Sequence, residues 1–340
     1  MKKFIQKILL LLLVVTIIVQ VPKWLLPPFW GNEVYDGKLY HLEQKDRGYN
    51  TFFVGTSRVD AGIVPRVFDK KARNKTKSFN LGAPGSCGLE SIALTEYLIE
   101  HETLDVQNIF VEFPLLNIHH KRNRGSIRGR YYYDFNMYWL SVKKIFYGED
   151  EAKNKLSAWS EHTGLLMKNT FSMGTFDDSL KRLTHGVKRK KKRYEKERGY
   201  TPLKNDSKSR EHQKRRKVFL KNKTILKKRK RVANLVFGNT AHPKNEFAIK
   251  QLEKLIDLAN ERDINLYFVL YPKAAQYVYQ ESVQVWSDKV KARTINLANP
   301  KKYSDFYEKK YSFDRAHLNH KGAELLTKEC AVAFKKMREE

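Results

Sequence analysis

The side chains best suited to chemistry stand at the ends of segments that read as strands. Gly55-Thr56-Ser57-Arg58 follows the first, Asn80-Leu81-Gly82-Ala83-Pro84-Gly85-Ser86 the second, and Glu112-Phe113-Pro114-Leu115-Leu116-Asn117 the third. Asp314-Arg315-Ala316-His317-Leu318-Asn319 lies just before the last helical pattern. A serine hydroxyl is a poor nucleophile until an imidazole takes its proton, and the imidazole works best when a carboxylate fixes its tautomer. Asp314 and His317 have a three-residue spacing that permits such a pair in a turn or a single helical step. Taken singly, a serine after a strand is usually a cap or turn residue, and a histidine a satisfied surface group. Their order along the chain, each at an element boundary, is what carries weight. His119 and His120, with His101 and Glu112, fit no zinc spacing, since adjacent histidines point apart in a strand or helix. Gly82, Gly85 and Gly88 lack the G-x-G-x-x-G spacing, and no Gly-Lys-Ser/Thr follows. No metal or cofactor is implied.

Those strand ends need a scaffold. Residues 51–55 read as a buried strand, 60–73 as a helix, 77–81 as a second strand, 86–101 as a helix that Ser86 can cap, and 108–113 as a third strand ended by Pro114. Residues 119–245 break the pattern, and then helix 246–262, strand 264–271, short strand 294–298 and helix 320–337 resume it. Such alternation implies a parallel sheet covered on both faces, with ligands beyond the carboxyl ends of its strands.

This layout resembles the SGNH or GDSL-like hydrolases over 51–118 and 246–338, about half the chain. The resemblance implies a three-layer α/β/α SGNH-hydrolase-like (flavodoxin-like) parallel sheet, here with a large basic, mainly helical insertion and an N-terminal transmembrane helix. By position Ser57 matches the family's nucleophile, and Asp314 and His317 its orienting acid and base. Gly85 matches the oxyanion glycine, whose missing side chain lets a backbone N–H approach developing negative charge. Asn117 matches the oxyanion asparagine, although Pro114-Leu115-Leu116-Asn117 stands where the family has a Gly-x-Asn-Asp type sequence. Gly55-Thr56-Ser57 replaces the more usual Gly-Asp-Ser. The anchor and insertion are also similar to membrane-tethered envelope acylation proteins, such as the D-alanine transfer protein of teichoic-acid modification and alginate acetylation proteins. That likeness implies a serine acyl esterase or O-acyltransferase, with an acylated glycan or acyl donor as substrate and a multi-spanning membrane acyltransferase as partner. A different class, a catalytically inactive tethered protein that binds a polyanionic glycan or membrane surface, is the alternative.

Compartment and charge narrow the partners. Lys2, Lys3 and Lys7 precede an apolar run from Ile8 to Val19, interrupted only by Thr16, close to the ~20 residues a helix needs to cross a bilayer. Val19-Gln20-Val21-Pro22-Lys23 offers no small residues for signal cleavage, and Trp24 and Trp30 suit an aromatic interface belt. The expected organisation is an anchor at 1–30, a juxtamembrane linker at 31–50 and one domain over 51–340 with the insertion at 119–245. The positive-inside rule puts the N-terminus in the cytoplasm and the domain outside. Of the net charge of +29, residues 181–231 carry +20. An extracytoplasmic position excludes nucleic acid and leaves anionic lipid or a polyanionic glycan as partners for this segment. Two cysteines, Cys87 and Cys330, form no framework; one bridge or two buried thiols both remain open.

Overall fold

The computed structural model describes residues 2–25, 33–43, 48–86, 88–113, 127–147, 151–185, 194, 196–222, 224–238, 246–273 and 287–339. The chain divides into two compact units, Met1–Gly37 with Asn117–Lys190, and Lys38–Leu116 with Lys191–Glu340. The stretch read as one insertion is therefore shared between them, and its basic half from Lys191 onward belongs with the sheet.

The first unit is helical. Helix α1 (Lys2–Leu25) has an apolar segment, Lys2–Val21, long and apolar enough to cross a membrane, none of it buried. The boundary between the units, at Gly37 and Lys38, falls within helix α2 (Glu33–Glu43). Helices α6 (Ile127–Tyr132), α7 (Phe135–Tyr147), α8 (Ala152–Thr170) and α9 (Phe176–His185) also belong to the described residues of the first unit, with α6 and α7 packed on α8.

The second unit is α/β. Strands β1 (Thr51–Val54), β2 (Ser78–Asn80), β3 (Asn108–Glu112), β4 (Asn265–Leu270) and β5 (Thr294–Asn296) form a fully parallel sheet in the order β2-β1-β3-β4-β5. This is a doubly wound order, whose crevice opens beyond the carboxyl ends of β1 and β3. Every residue of β1, β2 and β3 is buried, which is why the centres of β1 and β3 read as continuous apolar runs instead of alternating ones. Phe53, Phe110 and Tyr267 are register partners on β1, β3 and β4. They form one stacked row, with ring centroids 4.8 and 5.0 Å apart. Helix α4 (Pro65–Lys71) and the C-terminal helix α14 (His320–Glu339) pack together on that face. Phe68 meets Phe53 edge-on at 4.9 Å and Phe334 meets Phe110 at 5.3 Å; such pairs add about 0.5–1.5 kcal/mol each beyond burial. Helices α5 (Gly88–Glu100) and α12 (Glu246–Asn260) cover the opposite face.

Beneath the crevice lies a buried polar knot. Lys38, from α2, is fully buried; its Nζ donates to Asp60 Oδ1 at 2.9 Å and to the Gly82 carbonyl at 2.6 Å. Thr201 closes the knot, its hydroxyl donating to Asp60 Oδ1 at 3.0 Å and its N–H to the Asp60 carbonyl at 2.9 Å. A Cβ on Gly82 would fall 2.3 Å from the backbone nitrogen of Asp60, so only glycine lets the two loops touch. Asp60 ends the short helix α3 (Ser57–Asp60), and the knot fixes where that helix sits. Removing one partner of a buried pair strands the other. Lys38→Met is therefore expected to cost ~3 kcal/mol of stability, with much of it recovered in Lys38→Met/Asp60→Leu; denaturant midpoints of the three proteins check this.

Candidate active site

Ser57 owes its position to four neighbours. It is the first residue of α3, directly after β1, and Thr56 caps that helix by accepting the Arg58 N–H on Oγ1 at 3.2 Å. Glu112, the last residue of β3, reaches across from the neighbouring strand. Its Oε2 accepts the Thr56 N–H at 2.7 Å, and its Oε1 accepts Arg58 Nε at 2.6 Å and Nη2 at 2.5 Å. One buried carboxylate thus grips the residues on either side of the serine. Gly55 makes room for it: a Cβ there would meet Glu112 Cβ at 2.6 Å and Val59 Cγ2 at 2.4 Å.

Asp314 and His317 sit in a turn braced by an antiparallel bridge between Ser312 and Leu318. Asp314 Oδ1 accepts the backbone N–H groups of Ala316 and His317, both at 2.8 Å, which folds the three-residue spacing into an Asx-type turn. His317 Nδ1 then lies 2.9 Å from Oδ1 and 3.0 Å from Oδ2 of the same carboxylate. Its Nε2 lies 2.8 Å from Ser57 Oγ. A residue from the start of the sheet and a turn near the C-terminus, 260 positions apart, thereby form one hydrogen-bonded chain.

The basic segment supplies the rest of the surroundings. Helix α10 (Arg210–Lys221), capped by Ser209, directs two arginines at the turn. Arg215 Nη2 donates to Asp314 Oδ2 and lies 2.9 Å from His317 Nδ1. Arg216 Nη1 donates to the carbonyls of Ser312 and Phe313 at 2.5 and 2.8 Å. From the end of β4, buried Lys273 donates to the carbonyl of His317 at 2.6 Å and to that of Asp314 at 3.4 Å. Burial alone would raise the Asp314 carboxyl. The hydrogen bond from His317, its charge whenever the imidazole is protonated, the Ala316 N–H and Arg215 outweigh it and hold the group well below the usual carboxylate range. Asp314 is ionised and accepts the Nδ1 proton, the tautomer that leaves Nε2 free to take a proton from Ser57.

Ser57 and His317 line a small pocket with Arg58, Ala61, Gly62, Tyr271, Pro272, Ala316, Leu318 and Leu326. Its walls are mostly apolar. The Tyr271 hydroxyl is buried and has no hydrogen-bond partner among the described residues.

Of the residues singled out in the sequence, Ser57, Asp314 and His317 are brought together. Gly85 lies in the loop after β2, with φ at +75°, a conformation that favours glycine. That loop is fastened two residues ahead of Ser57, because the Ala83 N–H and the Ser86 hydroxyl both donate to the Gly55 carbonyl at 2.9 Å. Ser86, expected as a helix cap, spends its hydroxyl there and on the Ala83 carbonyl. Asn117, His119, His120 and Cys87 lie outside the described residues. Cys330 is a buried free thiol, pushed up to about 12 by burial. Among the described residues no cluster of three His, Cys, Asp or Glu could hold a metal ion. No family model matches the chain, and no curated protein matches its sequence.

Sequence reasoning missed Glu112, Lys38, Arg215 and Lys273 as parts of the site. A carboxylate ending an otherwise apolar central strand was the one available signal, for Glu112.

Lys273 carries a pH dependence. Burial, opposed by Asp314 and reinforced by Arg216 and Arg229, pushes its amine down to about 7 from an ordinary value of 10.5. Between these values the unfolded chain binds a proton that the folded chain does not, so stability rises with pH across that window. Lys273→Met is expected to flatten the rise between pH 7 and about 10, read from denaturant midpoints at stepped pH.

Proposed function

We propose that the protein is an SGNH-type serine acyl esterase or O-acyltransferase, anchored by α1 with its α/β unit outside the cytoplasm. The observation that carries this reading is the unbroken chain from Ser57 Oγ through His317 Nε2 and Nδ1 to the Asp314 carboxylate, set in the crevice beyond the strands. His317 takes the Ser57 proton as Oγ attacks the carbonyl of an acyl ester or thioester. The C–O or C–S bond to the leaving group breaks, and that group takes the proton back from His317. Water or a sugar hydroxyl then displaces Ser57 by the reverse sequence. Backbone N–H groups of Ser57 and Gly85, with the Asn117 amide, meet the oxyanion.

The pocket narrows the acyl group. Ala61, Gly62, Pro272, Leu318 and Leu326 leave a short apolar recess beside Ser57, which suits a short acyl chain. The acceptor is an anionic envelope glycan. Lys214, Lys217 and Lys221 are exposed on the helix that carries Arg215, so a polyanion held there lies along the element that lines the site. A multi-spanning acyltransferase supplies the acyl donor.

Reaction of the full chain in detergent with a serine-directed fluorophosphonate tests the mechanism. Labelling of wild type that vanishes in Ser57→Ala and His317→Ala is expected; folded protein that stays unlabelled would leave the tethered binding protein as the better reading. Arg215→Ala is expected to slow labelling at least about tenfold, the equivalent of one charge-assisted hydrogen bond to Asp314 at ~1.5 kcal/mol. Arg215→Lys should retain part of the rate, since an ammonium can hold one carboxylate oxygen without matching the guanidinium fork. Unchanged thermal midpoints in both variants separate the effect from misfolding.

A further inference from the structure

The two units differ sharply in what they leave exposed. Outside α1, eleven of the fourteen large hydrophobic side chains exposed among the described residues lie on positions 135–183 of the first unit. The second unit, much the larger, exposes three. The pattern is clearest on α9. Phe176, Leu180 and Leu183 fall within about 60° of arc at 100° per residue, and they are 39, 43 and 41% exposed. Ser179, on the flanking side, is buried instead. Asp177 and Lys181 pair at 2.5 Å on the far side. The helix is therefore amphipathic, with its most exposed face charged, and its apolar stripe, flanked by buried Ser179, stays part-exposed where a helix packed on a protein core would bury it.

Its position beside α1 says what covers the stripe. Helix α1 packs on α9 and α8, and Gln20 Nε2 donates to the Thr170 carbonyl. Thr16, Val19 and Gln20 are the positions of α1 that are half-buried among its described side chains. They sit at the end of the apolar segment Lys2–Val21. At 1.5 Å per residue, Thr16 is about 8 Å inside that end. An interfacial helix buries its apolar face about 5–10 Å into the headgroup and acyl boundary, so α9 is held at the depth where such a helix lies. Trp139 and Trp159, exposed on α7 and α8 of the same unit, are of the type that collects at this boundary.

We propose that α9 is an interfacial membrane helix, lying in the lipid–water boundary beside α1 with Phe176, Leu180 and Leu183 directed into the acyl chains of the bilayer. The occupant of this face is phospholipid. The inference rests on α1 crossing the membrane, and the experiment separates the two.

The full chain, with Cys87 replaced by serine and Cys330 buried, is reconstituted into phosphatidylcholine–phosphatidylglycerol vesicles with one nitroxide at a time. Labels are placed at Phe176→Cys, Leu180→Cys and Leu183→Cys, at Asp177→Cys and Lys181→Cys, and at Leu12→Cys on α1. Labels at 176, 180 and 183 should collide with oxygen several-fold more readily than with a water-soluble nickel chelate; those at 177 and 181 should show the opposite. Leu12→Cys should report the lipid core. A lipid-buried label at 12 with water-exposed labels at 176, 180 and 183 overturns the interfacial helix while leaving the anchor intact. Water exposure at 12 overturns the anchor and the inference together. Protection at 176, 180 and 183 that appears only in native membranes, and not in pure lipid vesicles, assigns the face to a membrane protein and overturns the lipid assignment.

Discussion

Four hydrogen-bond donors from two distant parts of the chain converge on the Asp314 carboxylate: the N–H groups of Ala316 and His317, the His317 imidazole and the Arg215 guanidinium. The two backbone donors make the turn, the imidazole makes the link to Ser57, and the guanidinium ties α10 to both. Each charge-assisted bond contributes about 1.5–3 kcal/mol, and together they overcome the burial that would otherwise neutralise the acid. Without an ionised Asp314 the turn's two closing bonds lose their charge assistance and the imidazole the anion that orients it. Geometry and protonation state are therefore set by the same atoms.

The serine side of the site uses a second carboxylate in a different way. Glu112 touches neither Ser57 nor His317 in the contacts that hold it. It grips Thr56 and Arg58, so the serine between them has little freedom to shift. Underneath, Lys38 and Asp60 hold the far end of α3 against the Gly82 loop. A serine on a four-residue helix has almost no intrahelical bonding to hold it. Its precision has to come from the neighbouring strand and loop, and here it comes from two ion pairs, the part-buried Arg58–Glu112 and the buried Lys38–Asp60.

The sheet was legible in the sequence because buried parallel strands and amphipathic helices leave strong local periodicities. Strands expected at 51–55, 77–81, 108–113, 264–271 and 294–298 appear at Thr51–Val54, Ser78–Asn80, Asn108–Glu112, Asn265–Leu270 and Thr294–Asn296. The helix expected over 60–73 is realised only as α4, Pro65–Lys71, because α3 ends at Asp60, the chain turns at Ala61-Gly62 and Pro65 starts the helix. The supporting charges were not legible. Lys38 and Arg215 sit in stretches whose neighbours are polar, and nothing local distinguishes a cation that will be buried against a carboxylate tens or hundreds of residues away from one that stays in water. Composition made the basic segment look like a single solvated feature. Within one helix of it, Arg215 and Arg216 turn to the site while Lys214, Lys217 and Lys221 face out.

That division bears on how the site handles charge. Arg58, Arg215, Arg216 and Lys273 surround it, against the carboxylates of Glu112 and Asp314. Acyl transfer through a serine creates an oxyanion and an imidazolium together, and a cationic environment favours the first while opposing the second. The geometry separates the two effects. Arg215 bonds directly to Asp314, so the imidazole faces a carboxylate and a guanidinium as a nearly neutral pair, and Glu112 largely cancels Arg58. Arg216 and Lys273 spend their donors on the carbonyls of Ser312, Phe313, Asp314 and His317. Their hydrogen bonds brace the turn from outside, and burial already pushes the Lys273 amine toward its neutral form. Much of the positive charge around the site is thus matched before any substrate arrives. The unmatched part lies on the outward face of α10, on Lys214, Lys217 and Lys221, where under the proposed function it would attract a polyanion without raising the cost of the imidazolium.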